Sequence, residues 1–335
     1  MKSQTTTNLI TMVVLILLLI GACTLALCTG SANIPLHDIF GTLFSDTNSV
    51  EKSIILSIRL PRLLLGLAVG GSLSLAGTLL QGMFRNPLVE PYTLGISGGA
   101  SLGVCLNIIF QWYSLIGVIA YPLSGFLGAM AVIFLVYVLS RNAGSLKTNS
   151  MLLTGVMISF VSASLVMFIM AISKSQDIHA IVFWIMGSLD VTNSALVAIA
   201  IIGALAGLAI TYRFCLDLNA LALGEEDAFH LGINVDRTKT WLFIIASMLT
   251  GLSVSVAGII GFVGLVVPHF MRMITGADHR WLLLAAFLAG AVFLVLCDVA
   301  ARTIIAPLEL PVGVITGIIG GVVFIYALGK RQIVL

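Results

Sequence analysis

Long apolar runs, each near the length of one membrane-crossing helix, repeat along the chain with short polar breaks between them. They cover residues 9–27, 63–83, 93–110, 115–139, 151–172, 195–211, 241–260, 261–276, 281–301 and 312–328. A hydrocarbon core of roughly 30 Å needs about 20 apolar residues in a helix. The pattern therefore predicts an all-α polytopic membrane protein of about ten transmembrane helices, with residues 1–335 forming one transmembrane domain. The eighth run is the least regular, because Pro268 and Arg272 interrupt it.

Composition agrees with the pattern. Hydrophobic residues make up 59% of the 335 and charged residues 9%, and the mean hydropathy is +1.15. A soluble domain needs far more polar surface. The first run, with Lys2 before it and "IGAC" ending at Cys23, has the look of a secretory or lipoprotein signal. It continues past Cys23 to Leu27, which fits an uncleaved first span better. The five cysteines are scattered without ligand spacing, so neither a disulfide framework nor a metal site is expected.

Lysine and arginine set the orientation. With the N-terminus in the cytoplasm and ten alternating spans, Lys2, Arg85, Arg141, Lys147, Arg213, Arg237, Lys239, Arg272, Arg280, Lys330 and Arg331 lie inside. Lys52, Arg59, Arg62, Lys174 and Arg302 lie outside. Eleven inside against five outside satisfies the positive-inside rule. Both termini are then cytoplasmic in a multi-pass protein.

The chain also repeats itself. "GGSLSLAGTLLQGMFRNP" at residues 70–87 matches "GLSVSVAGIIGFVGLVVP" at 251–268, both reading G-x-S-φ-S-φ-A-G with a later proline. The first copy opens on the second span and the second on the seventh. An odd number of spans separates them, so the copies are inverted. The repeat relates spans two to five with spans seven to ten, in halves of about 59–190 and 237–335. Inverted repeats are a transporter architecture, and small residues at this spacing also let helices pack closely.

The energy source is open at this point. No G-x-x-x-x-G-K-[ST] phosphate loop occurs, so the chain carries no ATPase of that type. An ion-coupled secondary transporter would need buried ionisable groups. Asp298 and Arg302, four apart, read as a local ion pair. His269, after Pro268, reads as a structural hydrogen bonder or a titrating group. No nucleophile or metalloprotease motif supports an enzyme. One acidic segment stands out between apolar runs, within a cytoplasmic loop at 213–239: "LGEEDAFHLGINVDR". It predicts a short helix bordered by Gly224 and Gly232. Glu225, Glu226 and Asp227 stand in its first turn and His230 near its end, matching the helix dipole. It is either a solvated loop or a docking element.

Several stretches, in order, resemble the FecCD-type permease subunits of iron-chelate and vitamin B12 ABC importers. They are "RLPRLLLGLAVGGSLSLAGTLLQGMFRNPLVEPYTLGISGGASLG" (59–103), "FWIMGSL" (183–189), "LGEEDAFHLGINVDR" (223–237), "GFVGLVVPHFMRMITGADHR" (261–280) and "ELPVGVITGIIG" (309–320). The resemblance implies a homodimer in the prokaryotic inner membrane, driven by two cytoplasmic ATPase subunits that use ATP and Mg. An extracytoplasmic binding protein would deliver substrate. The chain itself would bind no cofactor, and no nucleic-acid partner is expected. It further implies that Gly224, Glu225, Glu226, Asp227, Ala228, His230 and Gly232 couple to the ATPase, and that Arg59, Arg62 and Arg302 receive carboxylates of the binding protein. Span five would line the pathway, with Met157, Ser164, Met167 and Met170 as candidates beside Met151. The implied cargo is a metal chelate, ferric siderophore or haem first, with cobalamin or a molybdate-type oxyanion as the alternative.

Overall fold

The computed structural model describes residues 2–30, 50–142, 145–191 and 193–329. Lys330 and Arg331 of the charge count lie outside these. Among the described residues, helices of 13 residues or more fall on each of the ten apolar runs: α1 (Lys2–Cys28), α2 (Leu60–Phe84), α3 (Ile96–Phe110), α4 (Ala120–Ser140), α5 (Thr148–Ile172), α6 (Ser194–Tyr212), α7 (Val235–Ala257), α8 (Val263–Thr275), α9 (His279–Thr303) and α10 (Val312–Gly329). Seven of them, α1, α2, α4, α5, α6, α7 and α9, are long and apolar enough to cross a membrane; α3, α8 and α10 are shorter apolar helices. Between α4 and α5 a small ribbon pairs β1 (Arg141–Asn142) with β2 (Ser145–Leu146), antiparallel. Polar side chains start several helices by accepting main-chain N–H groups: Asn193 for α6, Asn234 for α7 and Asp278 for α9.

Helix α2 is the axis of the packing. In its apolar window 89% of residues are buried, against 17% in α1 and α5. It packs against α6, α7, α8 and α9. Burial on every side requires small residues, and the sequence supplies Gly66, Gly70, Gly71, Ser74, Ala76 and Gly77. A side chain at Gly70 would strike the Gly290 carbonyl of α9, and one at Gly290 would strike the Gly70 carbonyl. Two helices therefore meet backbone to backbone.

Packing follows the inverted repeat. Helix α2 lies against α9, and its counterpart α7 lies against α4, the counterpart of α9. The copies diverge at one glycine. Gly77 sits inside α2, which runs on to Phe84. Its mate Gly258 has φ +69 and ends α7, a conformation that favours glycine.

The break after Gly258 frees main-chain groups in an apolar interior, and each must find a partner. Glu90 Oε1 accepts from Phe262 N at 2.7 Å, and Tyr92 Oη accepts from Ile260 N at 3.2 Å. Phe262, at φ +68, then starts α8. That helix has 13 residues, or roughly 20 Å. Pro268 lies inside it and offers no N–H to the Gly264 carbonyl. Gln81 Nε2 of α2 approaches that carbonyl at 3.4 Å and donates to the Leu265 carbonyl at 3.1 Å. The irregular eighth run is thus a short, externally braced helix.

Candidate functional site

The acidic segment forms the expected element. Helix Cys215–Leu223 stops at Gly224, where φ is 147°, and a second helix runs Glu225–His230. Its acids occupy the first turn and His230 the last. Gly232, at φ +85, closes it, and Ile233 N donates to the Ala228 carbonyl at 3.0 Å. Lys239 of α7, almost wholly buried, holds Glu225 through Nζ–Oε1 at 2.7 Å.

The 223–232 segment has a buried and an exposed side. Ala228 is fully buried in the main apolar core, whereas Leu223, Phe229 and Leu231 are more than 60% exposed. Ala228, one of the residues expected to couple, therefore anchors the segment to the bundle and presents no exposed surface. The exposed surface of the segment includes apolar side chains that were not among the expected residues. A cleft of about 780 Å³ separates this helix from the start of α5, lined by Lys147, Thr148, Asn149, Glu226, Phe229 and His230 among others.

At the opposite end, Arg59, Arg62 and Arg302 come together, but beneath the surface, each 4–7% exposed. Arg62 Nε donates to Asp298 Oδ1 at 2.9 Å and its Nη1 to Glu309 Oε2 at 2.6 Å. Arg302 Nε lies 3.0 Å from Asp298 Oδ2, so the expected Asp298–Arg302 pair is present and is shared with Arg62. Arg59 donates to the Leu27 and Cys28 carbonyls, and Arg302 to those of Ala26 and Thr29. Those of Ala26, Leu27 and Cys28 are among the last carbonyls of α1, which a helix leaves unsatisfied, and Thr29 follows it directly. The guanidinium groups form a buried network and not an exposed row, and Glu309, with a side chain 44% exposed, is its open edge.

Helix α5 sorts its candidates by periodicity. Met157, Ser164 and Met167, spaced seven and three, are exposed along one face with Phe160 and Phe168. Met170 is half-buried beside the cluster of Val104, Ile108 and Ile181. Met151 is completely buried in the core and so does not belong to that face. His269, of open role in the sequence, is buried with its Nε2 lacking a protein partner.

A bundle with inverted repeats, a broken helix in one half and a self-contained element projecting from one end defines a transport permease. A family model, described as the FecCD transport family, matches residues 16–330, and the chain belongs to that family. It is 39% identical over 318 residues to the hemin transport system permease protein HmuU of Yersinia pestis, covering 91% of this chain and 92% of that one. It is 40% identical over 280 residues to the cobalamin import system permease protein BtuC of Halobacterium salinarum, covering 84% and 74%. A solved ABC transporter assigned to the metal-chelate type, in an inward-facing conformation, superposes with a TM-score of 0.84 at 31% identity, over 95% of this chain and 98% of that one. The chain is accordingly a multi-pass ABC importer permease and a transport subunit.

Proposed function

We propose that the chain, as a homodimer, carries a metal chelate inward across the prokaryotic inner membrane, with haem or a ferric siderophore as the first candidates. An extracytoplasmic binding protein delivers the chelate, and two separate ATPase subunits dock on the cytoplasmic end. The observation that carries this reading is the 223–232 segment. Its exposed Leu223, Phe229 and Leu231 stand on and beside a short helix anchored through Ala228 and Lys239, an arrangement suited to passing force between a partner and the bundle. The haem-named relative matches more of its own length than the cobalamin-named one, which supports the order of candidates. The exposed α5 face with Met157, Ser164 and Met167 is the proposed pathway wall, since Met gives a soft and adaptable lining. With the acidic loop inside, both termini are cytoplasmic and the arginine network faces outward. Docking of the binding protein is then proposed on Glu309 and the ground around Arg59, Arg62 and Arg302.

The test is reconstitution in proteoliposomes with the cognate ATPase and binding protein, measuring uptake of haem, ferric siderophores, cobalamin and molybdate. The expected result is ATP-dependent uptake of an iron chelate, with no ATP hydrolysis by the permease alone. Uptake driven by a proton gradient without any ATPase would overturn the proposal in favour of a secondary carrier. ATP-dependent uptake of cobalamin or molybdate would overturn the cargo alone.

A further inference from the structure

At the same end as the acidic segment, a second cavity of about 370 Å³ opens between the last turn of α2, α8 and the start of α9. Its wall includes Gln81, Arg85, His269, Arg272 and His279, and no carboxylate. Transport as proposed above assigns it no role.

The polar groups in this wall have fixed and unused capacity. Asn219 Nδ2 donates to Asp278 Oδ1 at 2.9 Å, so its Oδ1 accepts from the His279 main-chain N–H and from Nδ1–H, each at 2.8 Å. Nε2 of neutral His279 is then an acceptor. Gln81 spends its Nε2 on the α8 carbonyls, so its Oε1 is an acceptor too. Gln81 Oε1, His269 Nε2 and His279 Nε2 have no protein partner, although these residues are only 1, 5 and 2% exposed. Buried polar groups are nearly always hydrogen-bonded. Arg85 and Arg272 make no ion pair among the described residues. Asp278, the acid beside His279 in the chain, does not line the cavity. Burial pushes its carboxyl up, but hydrogen bonds from Arg280 and Asn219 outweigh this and hold it at about 2.

We propose that this cavity is a binding site for a hydroxylated phosphate ester, with the phosphate held by Arg85 and Arg272. Two guanidinium groups without a carboxylate favour an anion and repel a metal cation. Two fixed acceptors call for two ligand hydroxyls, whereas the hydrogen phosphate dianion has only one. A glycerol phosphate meets both demands. It has two sources: the headgroup of phosphatidylglycerol, or a soluble glycerol phosphate. The exposed Met273 on the cavity rim gives an acyl chain an apolar exit.

Native mass spectrometry of the purified permease, without ATPase, tests this with added phosphatidylglycerol, phosphatidylcholine or glycerol 1-phosphate. The wild type should retain phosphatidylglycerol and not phosphatidylcholine. Arg272→Gln should weaken retention roughly tenfold, the effect of losing one charge-assisted hydrogen bond. Ala222→Glu is a second variant: Ala222 lines the cavity and is exposed, so the change adds a repelling charge without removing a bond. Binding of glycerol 1-phosphate but not of the lipid, lost in both variants, identifies the soluble source and upholds the site. Retention of neither ligand, or equal retention by wild type and Ala222→Glu, overturns the proposal.

Discussion

Asp298 shows how one carboxylate organises an end of the bundle. It faces Arg62 at 2.9 Å and Arg302 at 3.0 Å, with all three side chains under 10% exposed. Removing one member of a buried ionic network leaves uncompensated charge, at about 3–5 kcal/mol. Asp298→Ala should therefore lower the thermal stability of the detergent-solubilised protein sharply. Glu309→Gln, at the half-exposed edge, should cost no more than ~1 kcal/mol. Equal losses in the two variants would refute the burial argument. The same network means that replacing Arg59, Arg62 and Arg302 with Glu would damage the fold before it reports on docking. At the other end, Ala228 and Phe229 are adjacent but opposite in role. Phe229→Ala should weaken ATPase association roughly tenfold or more, since burying a Phe side chain contributes ~1.5–3 kcal/mol, and leave the melting temperature in place. Ala228→Trp should lower the melting temperature, because the core has no room for it. Binding measured on captured permease, beside thermal unfolding, separates the two.

Among the elements, α8 depends most on its neighbours. Gln81 replaces the hydrogen bond that Pro268 cannot give. Gln81→Leu should cost ~1–3 kcal/mol by leaving a buried carbonyl unpaired. In a Pro268→Ala background, where the N–H of Ala can serve the Gly264 carbonyl, the same change should cost measurably less. A double-mutant cycle reads this coupling directly, and strict additivity would refute it. The sequence showed the helices well. Their apolar runs are long, and Gly224 and Gly232 punctuate the acidic helix sharply. It did not show which side of a short helix faces the bundle: in a six-residue element, periodicity has too few turns to separate Ala228 from Phe229. Nor did it show the braces on α8. Glu90, Tyr92 and Gln81 act across more than 160 residues of sequence, a distance that no local pattern spans. Charge counting put Arg59, Arg62 and Arg302 in one group, and the three lie together in the structure. Their burial depends on Asp298 and the end of α1, which residue type alone does not reveal.

For the molecule as a whole, the position of α2 bears on assembly. The helices that enclose it, α6, α7, α8 and α9, all follow it in the chain. A chain cut after Tyr212 should therefore be digested rapidly by protease within α2, while one extended through Thr303 should be protected there. Similar digestion of both would contradict the packing order. The ribosome makes the centre of this protein early and its enclosing wall late. For the time that translation takes to cover some two hundred residues, a segment rich in glycine and serine waits in lipid without the neighbours it was shaped for. Quality control in the membrane thus has an unmistakable mark of an unfinished molecule, and a nonsense mutation between the codons for α7 and α9 would leave that mark uncovered.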